Sequence, residues 1–241
     1  MIEITGLTKR YRDLVAVDDI TFSVPKGEIV GFLGPNGAGK STTMKMLTGF
    51  LPASAGAAKV AGFDVFEEPM AVKRAIGYLP EIPPVYPDLT VREYLRFVGK
   101  LKGIKGAELE REVERSIERV SLGDVSERLI RNISKGYQQR TGLGQALLGS
   151  PSVLILDEPT VGLDPRQIGD VRELIGELAG DHTVILSTHI LQEVTATCER
   201  VVIINRGQIV ADDKLTDLVD KHSEGEQKRS LEEIFISLTE R

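Results

Sequence analysis

Short apolar and β-branched runs open the chain and return in its last third, whereas the middle follows a helical period. The early runs, separated by polar turns, are Ile2 to Leu7, Ile20 to Val24 and Glu28 to Leu33. The late runs are Val153 to Leu156, Val184 to Ser187 and Val201 to Ile204, with an amphipathic helical pattern between the first two. Each run has the length of a strand. Strands that alternate with helices are typical of a largely parallel sheet, so the pattern predicts an α/β fold.

The middle of the chain is predicted to be a helical insertion. Helical periodicity dominates from Val91 to Leu148, with breaks at Gly103, Gly123 and Asn132. Thr90 precedes the segment and Glu93 lies three residues later, which is the spacing of a capping box. We therefore predict a single domain over residues 1–241. Its catalytic core covers about 1–81 and 151–212, and a helical subdomain of about 82–150 is inserted into it.

The predicted C-terminal tail, about residues 213–241, ends in an amphipathic helix. Leu231, Ile234, Phe235 and Leu238 fall at i, i+3, i+4 and i+7, so they share one face. That face either packs on the chain's own core, which we favour, or is a docking surface for another chain. The preceding HSEGEQKRS, residues 222–230, has the composition of a solvated linker, and we expect no further C-terminal domain.

Composition and charge narrow the class of protein. No apolar run approaches the roughly 20 residues that span a bilayer, so the chain is not expected to cross a membrane alone. The N-terminus lacks the layout of a secretory signal, and the lone Cys198 cannot form an intrachain disulfide, so we expect a cytoplasmic protein with a buried cysteine. The net charge of −6 argues against nucleic acid as a partner.

A phosphate-binding loop follows the third early strand. Residues 34 to 41 read GPNGAGKS and match G-x-x-x-x-G-K-[ST], in which glycines let the backbone wrap phosphates and the lysine reaches them. A helical pattern from Lys40 through Leu47 follows, as phosphate binding at a helix start requires. The candidate nucleotide-binding residues are Gly34, Pro35, Asn36, Gly37, Ala38, Gly39, Lys40, Ser41 and Thr42.

Polar residues end two of the late strands. Asp157 and Glu158 follow four apolar residues, so both carboxylates are expected at the carboxyl edge of the sheet, where α/β folds bind ligands. One can hold Mg²⁺ and the other can activate water. His189 directly follows TVILST and is predicted at the same edge, within reach of the γ-phosphate or the attacking water. His182 and His222 are expected to be structural, and no His/Cys cluster suggests zinc.

Two further features are candidates for nucleotide contacts. Tyr11, in the basic turn KRYRD, either stacks on adenine or is an ordinary half-buried loop tyrosine. The segment ISKGYQQR from Ile133 combines Ser134 and Gly136 with a following helical pattern. It predicts a second phosphate-binding helix start, whose nucleotide can belong to another subunit.

These motifs, in this order, resemble the nucleotide-binding domain of ATP-binding cassette (ABC) proteins. The resemblance covers Ile2 to about Val210 and is strongest to ATPase subunits of ABC-2-type exporters, near the gliding-motility branch. It implies a P-loop NTPase fold with a largely parallel core sheet, an N-terminal antiparallel β-subdomain and an inserted helical subdomain. The matching segments are Tyr11, GPNGAGKST from Gly34, ISKGYQQR from Ile133, VLILDEP from Val153, VGLDP from Val161, and His189.

The resemblance also implies roles within one subunit. Lys40 and Ser41 would bind the phosphates and Mg²⁺, and Asp157 would support the metal. Glu158 would be the general base, and His189 would complete the γ-phosphate contacts.

A second subunit would complete each site, in a homodimer or heterodimer closed head to tail over two ATP molecules. Ser134 and Gly136 would act on the partner's ATP, and Asp164 would lie in the loop that crosses the interface. Hydrolysis would open the dimer and move the helical subdomain, which drives a membrane partner.

Two positions depart from the family pattern. Glu81 stands where the family often has Gln, whose amide oxygen meets Mg²⁺; a carboxylate can also accept the metal but adds negative charge near phosphate. In ISKGYQQR, which corresponds to the signature segment of the family, Lys135 and Tyr137 replace the usual Gly and Gln. Lys135 either favours phosphate electrostatically or points to solvent.

The sequence therefore predicts an ATPase subunit that powers export through a separate integral membrane permease, at the inner face of the cell membrane. The alternative is a soluble ABC ATPase that serves a motility or scaffold-assembly complex without moving a solute. Glu158 and His189 disfavour a nucleotide switch that does not hydrolyse. The spacing of about ninety residues between P-loop and signature, with no heptad run, disfavours a chromosome-organising ATPase.

Overall fold

The computed structural model describes residues 1–222 and 229–240, and these residues form two β-sheets flanked by helices. The strands are β1 Ile2–Tyr11, β2 Leu14–Val24, β3 Ile29–Leu33, β4 Ala55–Val60, β5 Phe63–Asp64, β6 Ile76–Leu79, β7 Val153–Asp157, β8 Thr183–Thr188, β9 Arg200–Asn205 and β10 Gln208–Lys214. The α-helices are α1 Lys40–Leu47, α2 Pro69–Ala75, α3 Val91–Leu101, α4 Gly106–Arg119, α5 Lys135–Leu147, α6 Pro165–Glu177, α7 Leu191–Thr197, α8 Leu215–His222 and α9 Leu231–Thr239. The α/β fold expected from the alternation of strands and helices is confirmed.

The larger sheet carries the strand ends on which the chemistry depends. Its order is β10-β9-β3-β8-β7-β6, with β10 antiparallel at the edge and the other neighbours parallel. Strands β3, β7 and β8 are buried along their whole length, which explains their nearly unbroken apolar sequences. Leu33 is opposite Thr188, and Asp157 is opposite Ser187, so the three strands end together at one edge.

The smaller sheet is antiparallel, in the order β2-β1-β4-β5. Its buried face packs on the larger sheet through one apolar cluster, in which the rings of Phe22 and Phe32 stack with centroids 5.5 Å apart. Strand β4 was not expected, because AGAAKV is rich in alanine and glycine; pairing with β1 stabilises it nevertheless. β1 extends to Tyr11, so this residue ends a strand and the turn begins at Arg12.

The helical segment forms a second apolar cluster with the opposite face of the larger sheet. Thr90 and Glu93 make both hydrogen bonds of the predicted capping box at the start of α3. Helices α3, α4 and α5 agree with the predicted helical period and its breaks. The Pro-rich stretch at 82–90 contains no helix and leads from β6 into α3.

The C-terminal helix packs on its own chain, as the sequence favoured. Ile234 is fully buried, and Leu231, Phe235 and Leu238 pack against the same cluster. Asn205 holds the end of α9 by donating its amide N–H to the Thr239 carbonyl at 3.2 Å. Most of the predicted linker lies outside the described residues.

Cys198, His182 and His222 are in structural positions. Cys198 is buried, and burial raises the pKa of its thiol to about 12, as fits an inert core cysteine. His182 is buried with Nδ1 2.7 Å from the Pro151 carbonyl oxygen, and His222 Nδ1 is 3.0 Å from the Leu218 carbonyl oxygen. Both are structural contacts. No helix in residues 1–222 or 229–240 is long and apolar enough to cross a membrane.

Candidate nucleotide-binding site

The loop between β3 and α1 presents backbone donors to the carboxyl edge of the sheet. The Gly34 N–H donates to the Thr188 carbonyl at 3.3 Å, which fixes the start of the loop to β8. Gly39 is the N-cap of α1 with φ 111°, and a Cβ there would lie 2.6 Å from the Ala16 carbonyl oxygen, so only glycine fits. The first-turn N–H groups of α1, beginning at Lys40, have no acceptor within the helix and can bind an anion.

Lys40 is buried at the base of this loop. Its ammonium donates to the Gly34 carbonyl at 2.8 Å and the Pro35 carbonyl at 3.3 Å, and it lies 3.4 Å from Glu158 Oε1. Ala38 is also buried; its N–H donates to the Pro35 carbonyl at 3.1 Å. These contacts hold the loop in shape and fix the position of the lysine charge.

A cleft of about 640 Å³ opens above the loop, within the size range of small-molecule sites. It brings together most of the residues predicted to bind and hydrolyse nucleotide. Those lining it are Tyr11, Asn36, Gly37, Gly39, Lys40, Ser41, Thr42, Glu81, Glu158 and His189. Tyr11 lies at the rim of this cleft and is 44% exposed. The Lys9 ammonium lies over its ring, 5.2 Å from the centroid, and helps to hold the ring there.

Asp157 lies below the cleft at the end of β7. Its Oδ1 accepts a hydrogen bond from the Ser187 hydroxyl at 2.8 Å. Burial raises the pKa of Asp157, hydrogen bonds from Ser187 and Ser41 oppose the rise, and the carboxylates of Glu158 and Glu81 add to it. This surplus of negative charge beside a hydroxyl fits a divalent cation.

Mg²⁺ is suited to this donor set because it is commonly held by one or two carboxylates together with substrate phosphates. Among the described residues, no group of three or more His, Cys, Asp or Glu forms a metal cage. Two carboxylates and one hydroxyl leave coordination positions for phosphate oxygens, so Ser41, Asp157 and Glu81 are the side chains that would hold a metal shared with a nucleotide.

Glu158 has an uncommon backbone conformation and pairs with His189. Its φ of 51° is unusual for a residue other than glycine, and its N–H donates to the Ser187 carbonyl at 2.8 Å. His189 Nδ1 lies 2.9 Å from Glu158 Oε2, so an ionised carboxylate accepts a hydrogen bond from that ring nitrogen. The two side chains thus form a pair at the mouth of the cleft.

The remaining predicted residues lie elsewhere. Ser134 is the N-cap of α5, where its hydroxyl accepts from the Tyr137 N–H at 3.4 Å. Asp164 is the N-cap of α6 and forms a capping box with Gln167. Gly136 and Asp164 line a second cleft of about 530 Å³, and neither contributes to the cleft above the P-loop. The predicted site is therefore divided between two surfaces of the chain.

Lys135 lies across the loop that follows Glu158. A side chain added at Gly162, which has φ 72°, would overlap the ammonium of Lys135. Lys135 is exposed, but its side chain runs along this loop. The alternative that it simply points to solvent therefore does not describe its position fully.

The sequence did not indicate one buried acid that lies near the carboxyl edge of the larger sheet. Glu193 in α7 is 1% exposed, and its carboxylate accepts hydrogen bonds from Thr160 and Thr188. The available signal was a threonine at the end of the apolar run TVILST, followed closely by an acid in a short helix.

A buried lysine and free helix N–H groups on one strand end, facing an Asp-Glu pair on another, define a P-loop nucleoside triphosphatase. Comparison with known proteins narrows the class. The ABC transporter family model matches residues 17–161. The chain belongs to this family of ATP-binding proteins, and it is an ATPase that binds ATP with Mg²⁺.

Individual relatives agree with this assignment. The linearmycin resistance ATP-binding protein LnrL of Bacillus subtilis (strain 168) is 37% identical over 92% of this chain and 71% of its own length. A solved ATP-binding subunit of an ABC transporter has a TM-score of 0.88 and 33% identity over 99% of both chains. A dimeric ATP-binding cassette with ADP and Pi has the same fold, with a TM-score of 0.82 and 23% identity over 89% of this chain and 99% of that one. The relationship to ABC-2-type exporter ATPases is thereby supported, whereas the gliding-motility branch stays a prediction.

Proposed function

We propose that this chain is the ATPase subunit of an exporter, that it pairs with a second nucleotide-binding subunit around two ATP molecules, and that it drives a separate membrane permease. The separation of Ser134, Gly136 and Asp164 from the cleft above the P-loop carries this proposal, and Gly136 and Asp164 line a second cleft. Ser134 and Gly136 stand away from the chain's own P-loop, so they are available to the nucleotide of another subunit.

Within its own cleft, the chain binds phosphate through Lys40 and the first turn of α1. Mg²⁺, when bound, supplies positive charge that offsets the negative charge of the β- and γ-phosphates. Glu158 accepts the proton of the attacking water, and His189 orients Glu158 and reaches toward the γ-phosphate. Tyr11 stacks on adenine at the rim.

The start of α5 offers the second half of each site. It has no acidic residue in its first turn, and Lys135 occupies its first position, so this helix start concentrates positive charge. Ser134 and Gly136 place hydroxyl and backbone donors beside it. Asp164 stands in the adjoining loop, and α6 lies so close to α5 that a Cβ added at Gly136 would be 2.6 Å from the Gln167 side chain.

A groove on another face supports the membrane part of the proposal. It encloses about 530 Å³, Phe50 on its rim is 76% exposed, and Lys45, Lys73 and Lys102 also line it. An exposed aromatic ring beside Lys45 and Lys73, which are both exposed, fits an amphipathic, partly acidic segment of a partner. Such a partner would hold the chain at the inner face of the membrane.

The groove is connected to the nucleotide cleft through β6. Gln145 lines the groove and donates its amide N–H to the Tyr78 carbonyl at 2.6 Å. Glu81 follows Tyr78 by three residues and lines the P-loop cleft. Movement in either place can therefore reach the other along a short backbone path.

The assignment of the base is tested with Glu158→Gln. This variant should bind ATP, lose turnover and accumulate as an ATP-bound dimer in size-exclusion chromatography. Glu232→Gln, an exposed acid on α9, is the matched control and should behave as wild type. Robust hydrolysis by Glu158→Gln would contradict the assignment of Glu158 as the base.

The assignment of α5 to a second subunit is tested with Ser134→Arg. The bulky cation should leave ATP binding by the monomer nearly intact while it abolishes ATP-driven dimerisation and turnover. Loss of monomer binding would mean instead that Ser134 serves its own nucleotide.

The membrane partner is tested by isolating the chain from native membranes and identifying what remains bound. A multi-span integral protein is expected, and Phe50→Asp should release it while ATP binding persists. Recovery of a soluble scaffold in place of such a protein would favour the motility or assembly alternative.

A further inference from the structure

Glu193 is a buried acid that the proposed mechanism does not use. It lies in the first turn of α7, four residues after His189, and it does not line the P-loop cleft. The residue is 1% exposed. A buried carboxylate is costly unless hydrogen bonds satisfy it, so its partners indicate why the position tolerates one.

Two threonine hydroxyls satisfy this carboxylate. Thr160 donates to Oε1, and Thr188 donates to Oε2 at 2.6 Å. Thr160 belongs to the loop that runs from Glu158 to Asp164, and Thr188 directly precedes His189. Both threonines are buried, so one carboxylate joins the two segments that carry the proposed base, the histidine and the interface aspartate.

The hydroxyl of Thr188 also lies near the proposed base. Its Oγ1 is 3.5 Å from Glu158 Oε2 but 2.6 Å from Glu193 Oε2, and it accepts from the Ile190 N–H at 3.1 Å. A hydroxyl has one proton to donate. Because the Thr188 hydroxyl donates its hydrogen bond to Glu193, Glu158 Oε2 remains available for the hydrogen bond with His189.

We propose that Glu193 is a positioning residue for ATP hydrolysis. By accepting from Thr160 and Thr188, it fixes the pair of Glu158 and His189 relative to the loop that carries Asp164. The inference rests on the roles proposed above for Glu158 and His189. It assigns Glu193 no contact with nucleotide, so its effect falls on turnover and not on binding.

Glu193→Gln is the central test because it preserves the shape of the side chain. Thr160 and Thr188 donate to different oxygens of the carboxylate, and the amide replaces one of these acceptors by an NH₂ donor, so one of the two hydroxyls loses its acceptor. The turnover number should fall by about tenfold or more, while KM and the monomer's affinity for ATP stay within about twofold, as expected when ground-state binding is untouched.

Thr160 provides a second, independent test. Thr160→Val should lower turnover in the same way, whereas Thr160→Ser, which retains the hydroxyl, should keep most of it. If the two residues act through one hydrogen bond, Glu193→Gln combined with Thr160→Val should be little worse than the more impaired single variant. Multiplied defects would contradict the shared role.

Controls separate this inference from the proposed function. Glu199→Gln, an exposed acid that follows α7, should match wild type, and thermal unfolding shows which variants are folded. Should Glu193→Gln fail to fold, the comparison of Thr160→Val with Thr160→Ser decides. An inactive Glu158→Gln beside a fully active Glu193→Gln overturns only the role of Glu193, whereas an active Glu158→Gln overturns the assigned base.

Discussion

Replacing Lys102 by methionine should change how the stability of the protein depends on pH. Lys102 follows α3, and its ammonium donates to the Leu148 carbonyl at 2.7 Å and the Ala146 carbonyl at 3.3 Å, at the end of α5. Burial lowers the pKa of Lys102 from 10.5 to about 8, although the nearby Glu112 carboxylate opposes this change.

The direction of the effect follows from proton binding in the two states. The folded chain loses the Lys102 proton near pH 8, whereas the unfolded chain keeps it to about pH 10.5. Within that window the unfolded state binds more protons, so Lys102 makes the free energy of unfolding rise with pH. At about 1.4 kcal/mol for each pH unit, the rise is at most roughly 3 kcal/mol. Below pH 8 the buried ammonium is a cost to the folded state that methionine removes.

Urea unfolding at pH 7, 8, 9 and 10 measures this difference. Other groups titrate in the same range, so the informative quantity is the wild-type free energy of unfolding minus that of Lys102→Met. It should grow by one to a few kcal/mol from pH 7 to 10. Lys100→Met, at an exposed position on α3, is the matched control and should track wild type. Parallel profiles for wild type and Lys102→Met would refute the reasoning.

Three other substitutions have defined outcomes. Gly77→Ala should lower the free energy of unfolding by about 2 kcal/mol or more in urea titrations, because its Cβ would overlap the Ala146 carbonyl oxygen and force β6 from α5. Tyr11→Ala should weaken ATP binding in calorimetry by about 1–3 kcal/mol if the ring stacks on adenine, while Tyr11→Phe stays near wild type. Glu81→Gln removes one of the carboxylates that raise the pKa of Asp157, so it should strengthen binding of ATP at low Mg²⁺ by a few fold in the same assay.

The sequence was sufficient to predict which residues line the cleft above the P-loop, because these chemical groups follow strongly apolar strands. Asp157 and His189 each follow a short apolar run that is typical of a buried strand, and Lys40 follows a glycine loop. A parallel sheet brings such strand ends to one edge whatever the strand order. For that reason Glu158, His189 and Lys40 could be grouped before the order was known.

Strand order and buried polar contacts were not predictable in the same way. Apolar periodicity does not specify partners, so nothing in the sequence indicated that β8 lies between β3 and β7. Glu193 was missed because a short helix gives little periodicity and a buried acid looks like any surface acid. The path of Lys135 along the Gly162 loop likewise depends on tertiary packing.

The position of β3 in the sheet determines when the P-loop can become structured during synthesis of the chain. β3 ends at Leu33, yet its two neighbours, β8 and β9, are made about 150 residues later. During synthesis the P-loop therefore leaves the ribosome long before the strands that support it, while α3, α4 and α5 can pack through local contacts. A chain interrupted before β8 holds the full P-loop sequence but lacks the framework that shapes it. The ability to bind ATP thus arises late, when nearly the whole domain has been made.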